Sequence, residues 1–242
     1  MALTVPYPTD QLIARKTGYG FARDLWSPNS FDYDKFEDKF FGDALWGGYP
    51  TAKTNGTSAA VTFAEHNENA YLSFISGTTD NGYAGQGLGL NFTGDRGVLG
   101  EFLIVTPAAV TTMKIEVGFS DADDDAGAVN IKATPSSTAS DYAVLCFDTD
   151  DDTNWSFISA KAGTEVATQD IETVAASSTY RLAVRIVGDS CEAYVNGSHV
   201  AGHADGIEGG SKITPWVFVQ ARAGSASRTI LLHKWRCLQP AY

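Results

Sequence analysis

Residues 180–197, YRLAVRIVGDSCEAYVNG, constrain the fold more than any other stretch of the chain. Tyr180, Leu182, Val184 and Ile186 fall at every second position, with Arg181 and Arg185 between them. That is the period of a strand with one face buried and one face polar. Gly188-Asp189-Ser190 supplies a turn, and the apolar run that follows ends at Asn196-Gly197. Asn-Gly tolerates positive φ at two successive residues, the requirement of a two-residue hairpin. A third strand is therefore expected to fold straight back from His199, which makes three neighbours of an antiparallel sheet.

The same texture recurs along the chain. Short apolar or alternating runs at 59–64, 70–76, 88–92, 98–105, 113–120, 142–148, 155–160, 180–187, 191–196, 199–201, 215–222 and 229–237 are separated by Gly, Asn and Asp. Twelve such runs predict an all-β sandwich, and no segment carries a helical period. Residues 170–178 suit a strand followed by a polar connection. Pro215 is placed at the opening of its strand and Pro107 outside any central ladder, because proline cannot donate to one. Glycine is dense between residues 77 and 100, where it suits turns and bulges. As a phosphate cradle this stretch fails, since Gly85-Gln86-Gly87-Leu88-Gly89 precedes no helical pattern.

Residues 1–35 differ from the rest and are read as an extended arm preceding a single domain at 36–242. Prolines 6, 8 and 28 oppose regular structure, yet the stretch is rich in aromatic and aliphatic residues. A plain disordered tail is poor in such residues. These side chains must wrap the domain's own surface or bury against a partner. Tyr7, Leu12, Ile13, Phe21 and Trp26 are the candidate anchors, each worth about 1.5–3 kcal/mol if fully buried, before ordering costs.

With 29 acidic against 17 basic residues and a net charge of -12, a nucleic-acid partner is not expected. The N-terminus lacks the basic start and apolar core of a secretory leader, and no run of about 20 apolar residues is present, so synthesis in a cytoplasm without membrane insertion is expected. Cys146, Cys191 and Cys237 are an odd, scattered set placed in apolar strands, so each reads as a small buried hydrophobe.

Two acidic clusters, Glu116 and the four histidines are the positions where metal or catalytic chemistry could sit. Residues 121–127, DADDDAG, have the 1, 3, 5 oxygen spacing of a calcium loop, but the glycine falls late and the twelfth position is Lys132 in place of a bidentate Glu. Residues 148–154, DTDDDTN, have similar spacing without a glycine. Both read as solvated acidic turns, and no metal or cofactor is expected. Glu116 is followed by no carboxylate before Asp121; five is an odd interval, so a regular strand would point the two to opposite sides. A retaining glycosidase needs two carboxylates together. His66, His199, His203 and His233 form no ligand set. An enzyme is not expected.

The Arg-bearing strand, the polar turn and the Tyr194-Val195-Asn196-Gly197 restart resemble the penultimate region of laminin-G-like and concanavalin-like β-sandwiches. An FxD-type strand end, acidic loop and Asn-Trp restart, here Phe147-Asp148-Thr149-Asp150-Asp151-Asp152-Thr153-Asn154-Trp155, and the small/Ser/Arg-rich turn 224–229 more specifically resemble the version of this domain in virion structural proteins of tailed bacteriophages. The resemblance spans residues 36–238. It implies a two-sheet antiparallel jelly-roll sandwich with an extended N-terminal arm. It also implies a capsid decoration (cement) protein on the virion exterior, a homo-trimer bound to the major capsid protein through the arm or the trimer base. The alternative is a carbohydrate-binding adhesion module of a tail or fibre, contacting a surface glycan through Trp155, Trp216 or Trp235.

Overall fold

A computed structural model describes residues 33–38, 49–66, 69–122, 127–134, 136–224 and 226–240. Tyr7, Leu12, Ile13, Phe21 and Trp26 lie outside the described residues. In chain order the strands are β1 (Tyr33–Asp38), β2 (Lys53–Asn55), β3 (Ala60–His66), β4 (Asn69–Ile75), β5 (Tyr83–Gln86), β6 (Phe92–Thr93), β7 (Val98–Val105), β8 (Met113–Ser120) and β9 (Val129–Ile131). They continue as β10 (Ser136–Ser137), β11 (Tyr142–Asp148), β12 (Asn154–Lys161), β13 (Thr164–Thr173), β14 (Thr179–Val187), β15 (Ser190–Val195), β16 (Ser198–His203), β17 (Lys212–Ala221) and β18 (Thr229–Pro240).

Two eight-stranded antiparallel sheets pack face to face. The first runs β16-β15-β14-β7-β18-β4-β3, with β1 also on β18. The second runs β13-β12-β11-β8-β17-β5-β2, with β6 also on β17. The chain is all-β, a jelly-roll sandwich as expected. The expected hairpins are present: Val187 pairs with Ser190 across Gly188-Asp189, and Val195 with Ser198 across Asn196-Gly197. Asn196 and Gly197 have φ of 52° and 87°, the double positive that this turn demands.

One continuous core fills the space between the sheets. Phe102 and Ile104 of β7, Leu182, Val184 and Ile186 of β14, and Trp235 of β18 meet Ile115, Val117 and Phe119 of β8, Leu145 and Phe147 of β11, and Trp155 and Phe157 of β12. Each large side chain removed from water here contributes about 1.5–3 kcal/mol against chain entropy. The long strand β18 organises the first sheet. It pairs with β7 on one side; on the other, β4 covers Thr229 to Leu232 and β1 covers Trp235 to Pro240, with a register shift between Leu232 and Lys234. β1 runs across the 35/36 position, and its Phe36 ring packs edge-on against Trp235, centroids 6.0 Å apart.

Three local expectations are corrected. Of residues 88–92 only Phe92 lies in a strand; the ladder uses β5 before them and β6 from Phe92. Gln86 donates to the Gly87 and Pro50 carbonyls, and Thr214 Oγ1 accepts from the Leu88 amide, which ends pairing there. Pro215 lies inside β17 rather than at its start. This is tolerated because the ladder on the β5/β6 side is already interrupted between Ile213 and Val217. The strand expected near 170 begins earlier, at Thr164, and is the ten-residue edge β13.

Candidate functional site

The outward face of the second sheet carries the polar residues that the sequence singled out. Met113, Ile115, Val117 and Phe119 of β8 point into the core, so Lys114, Glu116, Gly118 and Ser120 point outward. Register places Cys146 and Phe218 on either side of Glu116, Asp148 and Gln220 beside Lys114, and Val144 and Trp216 beside Gly118. Such a face, with a carboxylate, an amine and stacked aromatics in neighbouring rows, is where a sandwich of this kind could present chemistry.

It is shut by the chain itself. Between β8 and β11, residues 127–134 and 136–141 lie over the sheet, and β9 and β10 form a two-stranded strap on it. Ala128, Val129 and Ala139 of this segment bury against Tyr142, Val144, Cys146, Ile158 and Ala160, making a second, smaller apolar cluster outside the main core. Polar side chains from the sheet then bind the strap's backbone. Glu116 accepts from the amides of Ala128 at 2.7 Å and Val129 at 3.0 Å. Lys114 donates to the Val129 carbonyl and Arg222 to that of Asn130. Lys132 itself reaches Asp152 at 2.6 Å and the Asn154 carbonyl at 3.2 Å.

Glu116 is 0% exposed and saturated. Besides the two amides it takes the Lys114 ammonium at 2.6 Å and the Trp216 indole N–H at 3.2 Å. Lys114 also lies 5.3 Å from the centre of the Phe218 ring. Gly127 at the start of the strap has φ of 95°, and a Cβ there would sit 2.8 Å from Glu116 Oε1, so the approach of strap to carboxylate requires glycine. The carboxylate in the next row, Asp148, is gripped by both Arg222 Nε and Nη2. A general acid needs access to substrate and a partner carboxylate. Here Glu116 and Asp148 each have a cation of this protein as partner.

In the acidic loop 148–154, Asp148 is buried and Asp152 half-buried, while Asp150 and Asp151 stay exposed. Burial pushes the Asp152 carboxyl up, but hydrogen bonds from Lys132 and the Asn154 amide outweigh this and hold it below the ordinary carboxylate range. Among the described residues no group of three metal-ligating side chains gathers, with residues 123–126 of the other acidic cluster lying outside them. Trp155, Trp216 and Trp235, the aromatics named for a glycan, are all fully buried. That corrects the expectation that they might meet a sugar: Trp155 and Trp235 fill the core, and Trp216 stacks on Phe218 with centroids 5.9 Å apart.

The three cysteines are free and buried. His199 and His203 part company. A register shift separates their pairings on β15, so His199 packs edge-on against the outward Tyr194 while His203 turns between the sheets. Sequence reasoning missed the partnership of Lys114 and Trp216 with Glu116, and it missed the strap. The only signal for the strap was the short apolar run 128–131 after an acidic cluster, which spacing rules read as a failed calcium loop.

The fold is that of the concanavalin-like jelly rolls. The carbohydrate recognition domain of Emp47p superposes with a TM-score of 0.59 at 9% identity, covering 89% of this chain and 100% of that one. An endo-β-1,4-glucuronan lyase from the fungus Trichoderma reesei gives 0.56 at 10% identity, over 85% and 95% of the two chains. The CBM2 module of the evolved Dit of Lactobacillus casei BL23 phage J-1 gives 0.53 at 12% identity, over 87% and 97%. No sequence family and no curated protein matches the chain.

Proposed function

We propose that this protein is a non-catalytic structural component of a tailed-bacteriophage virion, a decoration protein that binds the outer capsid surface and reinforces the shell. The observation that carries the reading is the strapped sheet face. A domain whose own chain fills the face, with Glu116, Lys114, Asp148 and Arg222 paired to one another or to the strap, acts through its outer surfaces rather than through a groove. The resemblance of the 147–155 and 224–229 motifs to phage virion domains supplies the viral setting. A net charge of -12 suits a protein that avoids packaged DNA.

In this reading the protein sits as a trimer on the capsid exterior, and the arm residues Tyr7, Leu12, Ile13, Phe21 and Trp26 anchor it to the major capsid protein. Co-sedimentation with capsids assembled without the protein tests this, comparing the full chain with a truncation that starts at Tyr33 so that β1 is kept. Saturation at a fixed ratio by the full chain alone supports both the role and the arm. Equal binding by both forms removes the arm's role, and no binding by either removes the capsid. The second reading, a glycan-binding adhesion module, then takes over. With the three tryptophans buried, its sugar would have to meet loops or exposed strand faces, and a glycan array is the direct check.

A further inference from the structure

At the side of the sandwich where the edge strands β16 and β13 of the two sheets lie over one another, an imidazole links them. His203 ends β16 in the first sheet and turns inward. Its Nδ1 lies 2.7 Å from Ser159 Oγ of β12, and its Nε2 lies 3.1 Å from Thr168 Oγ1 of β13. The ring stacks on Phe157, centroids 4.8 Å apart at 28°. Three strands of two sheets therefore meet on one titratable group. Gly206 closes the turn behind it, where a Cβ would stand 2.6 Å from Ser159 Oγ, 2.7 Å from Cys191 Sγ and 2.8 Å from His203 Cβ, so the turn packs this closely only with glycine.

We propose that His203 is a pH-operated clasp: neutral, it holds β16 against β12 and β13, and protonated, it lets this side of the sandwich open.

The groups around the ring decide the direction. From β12 and β13 only the hydroxyls of Ser159 and Thr168 and the Phe157 ring face it. From β15 comes the thiol of Cys191, which pairs with His203 in register and hydrogen-bonds Ser159; burial pushes this thiol up to about 11, so it is neutral. Two residues away along these segments, Lys161 of β12 pairs with Asp189 at 2.5 Å and with Asp205 at 2.7 Å, and Glu208 lies 3.8 Å from it, so these carboxylates are taken by Lys161. No carboxylate is committed to the imidazolium.

Neutral His203 uses one ring nitrogen to donate and one to accept. Taking up a proton from solvent makes both nitrogens donors, so Ser159 must give up donating to the ring and turn its hydrogen toward Cys191, while a charge appears in a site that cannot hydrate it. Burial accordingly lowers the proton affinity of His203 below the ordinary value of 6.5. A folded-state value below the unfolded one means the clasp is whole above about pH 6.5 and is lost as pH falls from there toward the folded-state value. Within that window each unit of acidification multiplies the opening equilibrium by up to about ten.

Hydrogen exchange of the full chain across pH 5 to 7.5, corrected for intrinsic rates, reads this opening directly. Protection in β13 and β16 should fall on acidification, while β8 and β11 keep theirs. His203→Gln, which hydrogen-bonds without titrating, should make the β13 and β16 protection independent of pH. His233 is also held low by burial and sits elsewhere, against Tyr71, so His233→Gln serves as the control that changes nothing at β13. Should the Gln variant fail to fold, Thr168→Val replaces it; loss of the Nε2 partner weakens the clasp, so the same degree of opening should be reached at higher pH. The clasp is refuted if β13 and β16 exchange without pH dependence in the native chain, or if the His203 imidazole resonance titrates at the ordinary value.

Discussion

β8 and β14 sit inside their sheets and carry the same alternation, yet their outward polar side chains have opposite surroundings. On β14, Arg181 is exposed and Arg185 half-buried, its guanidinium 3.2 Å from Glu192 at the edge of water. On β8 every residue is buried, and Lys114 and Glu116 spend their charges on each other and on the strap. A surface pair such as Arg185 with Glu192 gains little, because water competes for both partners. A dry pair is costly to form and costlier to break, because neither charge can return to solvent. The contrast shows that a polar residue at an outward strand position is no guarantee of a wet one.

The largest expected effect tests the dry side. Glu116→Gln keeps the shape and removes the charge, stranding the Lys114 ammonium, and urea unfolding should report a loss of about 3–5 kcal/mol. Gly127→Ala comes next. Its φ of 95° and the 2.8 Å approach to Glu116 should cost about 1–3 kcal/mol, with exchange protection at residues 128–132 falling before that of the sheet beneath. A smaller effect is expected with acid. Asp152 is held below its ordinary value of 3.8, so its contribution is present above that value and lost as pH falls below it. Lys132→Met should flatten that acid limb. On the wet side, Arg185→Ala should change stability by no more than about 0.5 kcal/mol. Equal losses at Glu116 and Arg185 would dissolve the comparison.

The ladder was legible where one face meets a core. Nine of the runs read from the sequence coincide within a residue or two at each end with β3, β4, β7, β8, β11, β12, β14, β15 and β16, because a strand's inward residues announce themselves at every second position. The Asn196-Gly197 hairpin was legible for a local reason, the positive φ it needs. Residues 53–55, 83–86 and 136–137 were missed because short strands among glycines and serines carry no period. Of the site, Glu116 was noticed but misjudged in its setting: the sequence showed it lacking a second carboxylate, not that Lys114, Trp216 and two amides would saturate it. His203 looked unremarkable, since Ser159 and Thr168 are 44 and 35 residues away along the chain.

By itself, then, the sequence determined the all-β class, the sandwich of short antiparallel strands, the inward face of each long strand and the two tight hairpins, because these depend on neighbours one to four residues apart. The tertiary structure alone decided which outward faces stay dry, which charges pair, and that strands of both sheets converge on His203. Those outcomes depend on segments far apart in sequence being laid over one another, and on the low dielectric created only when they are.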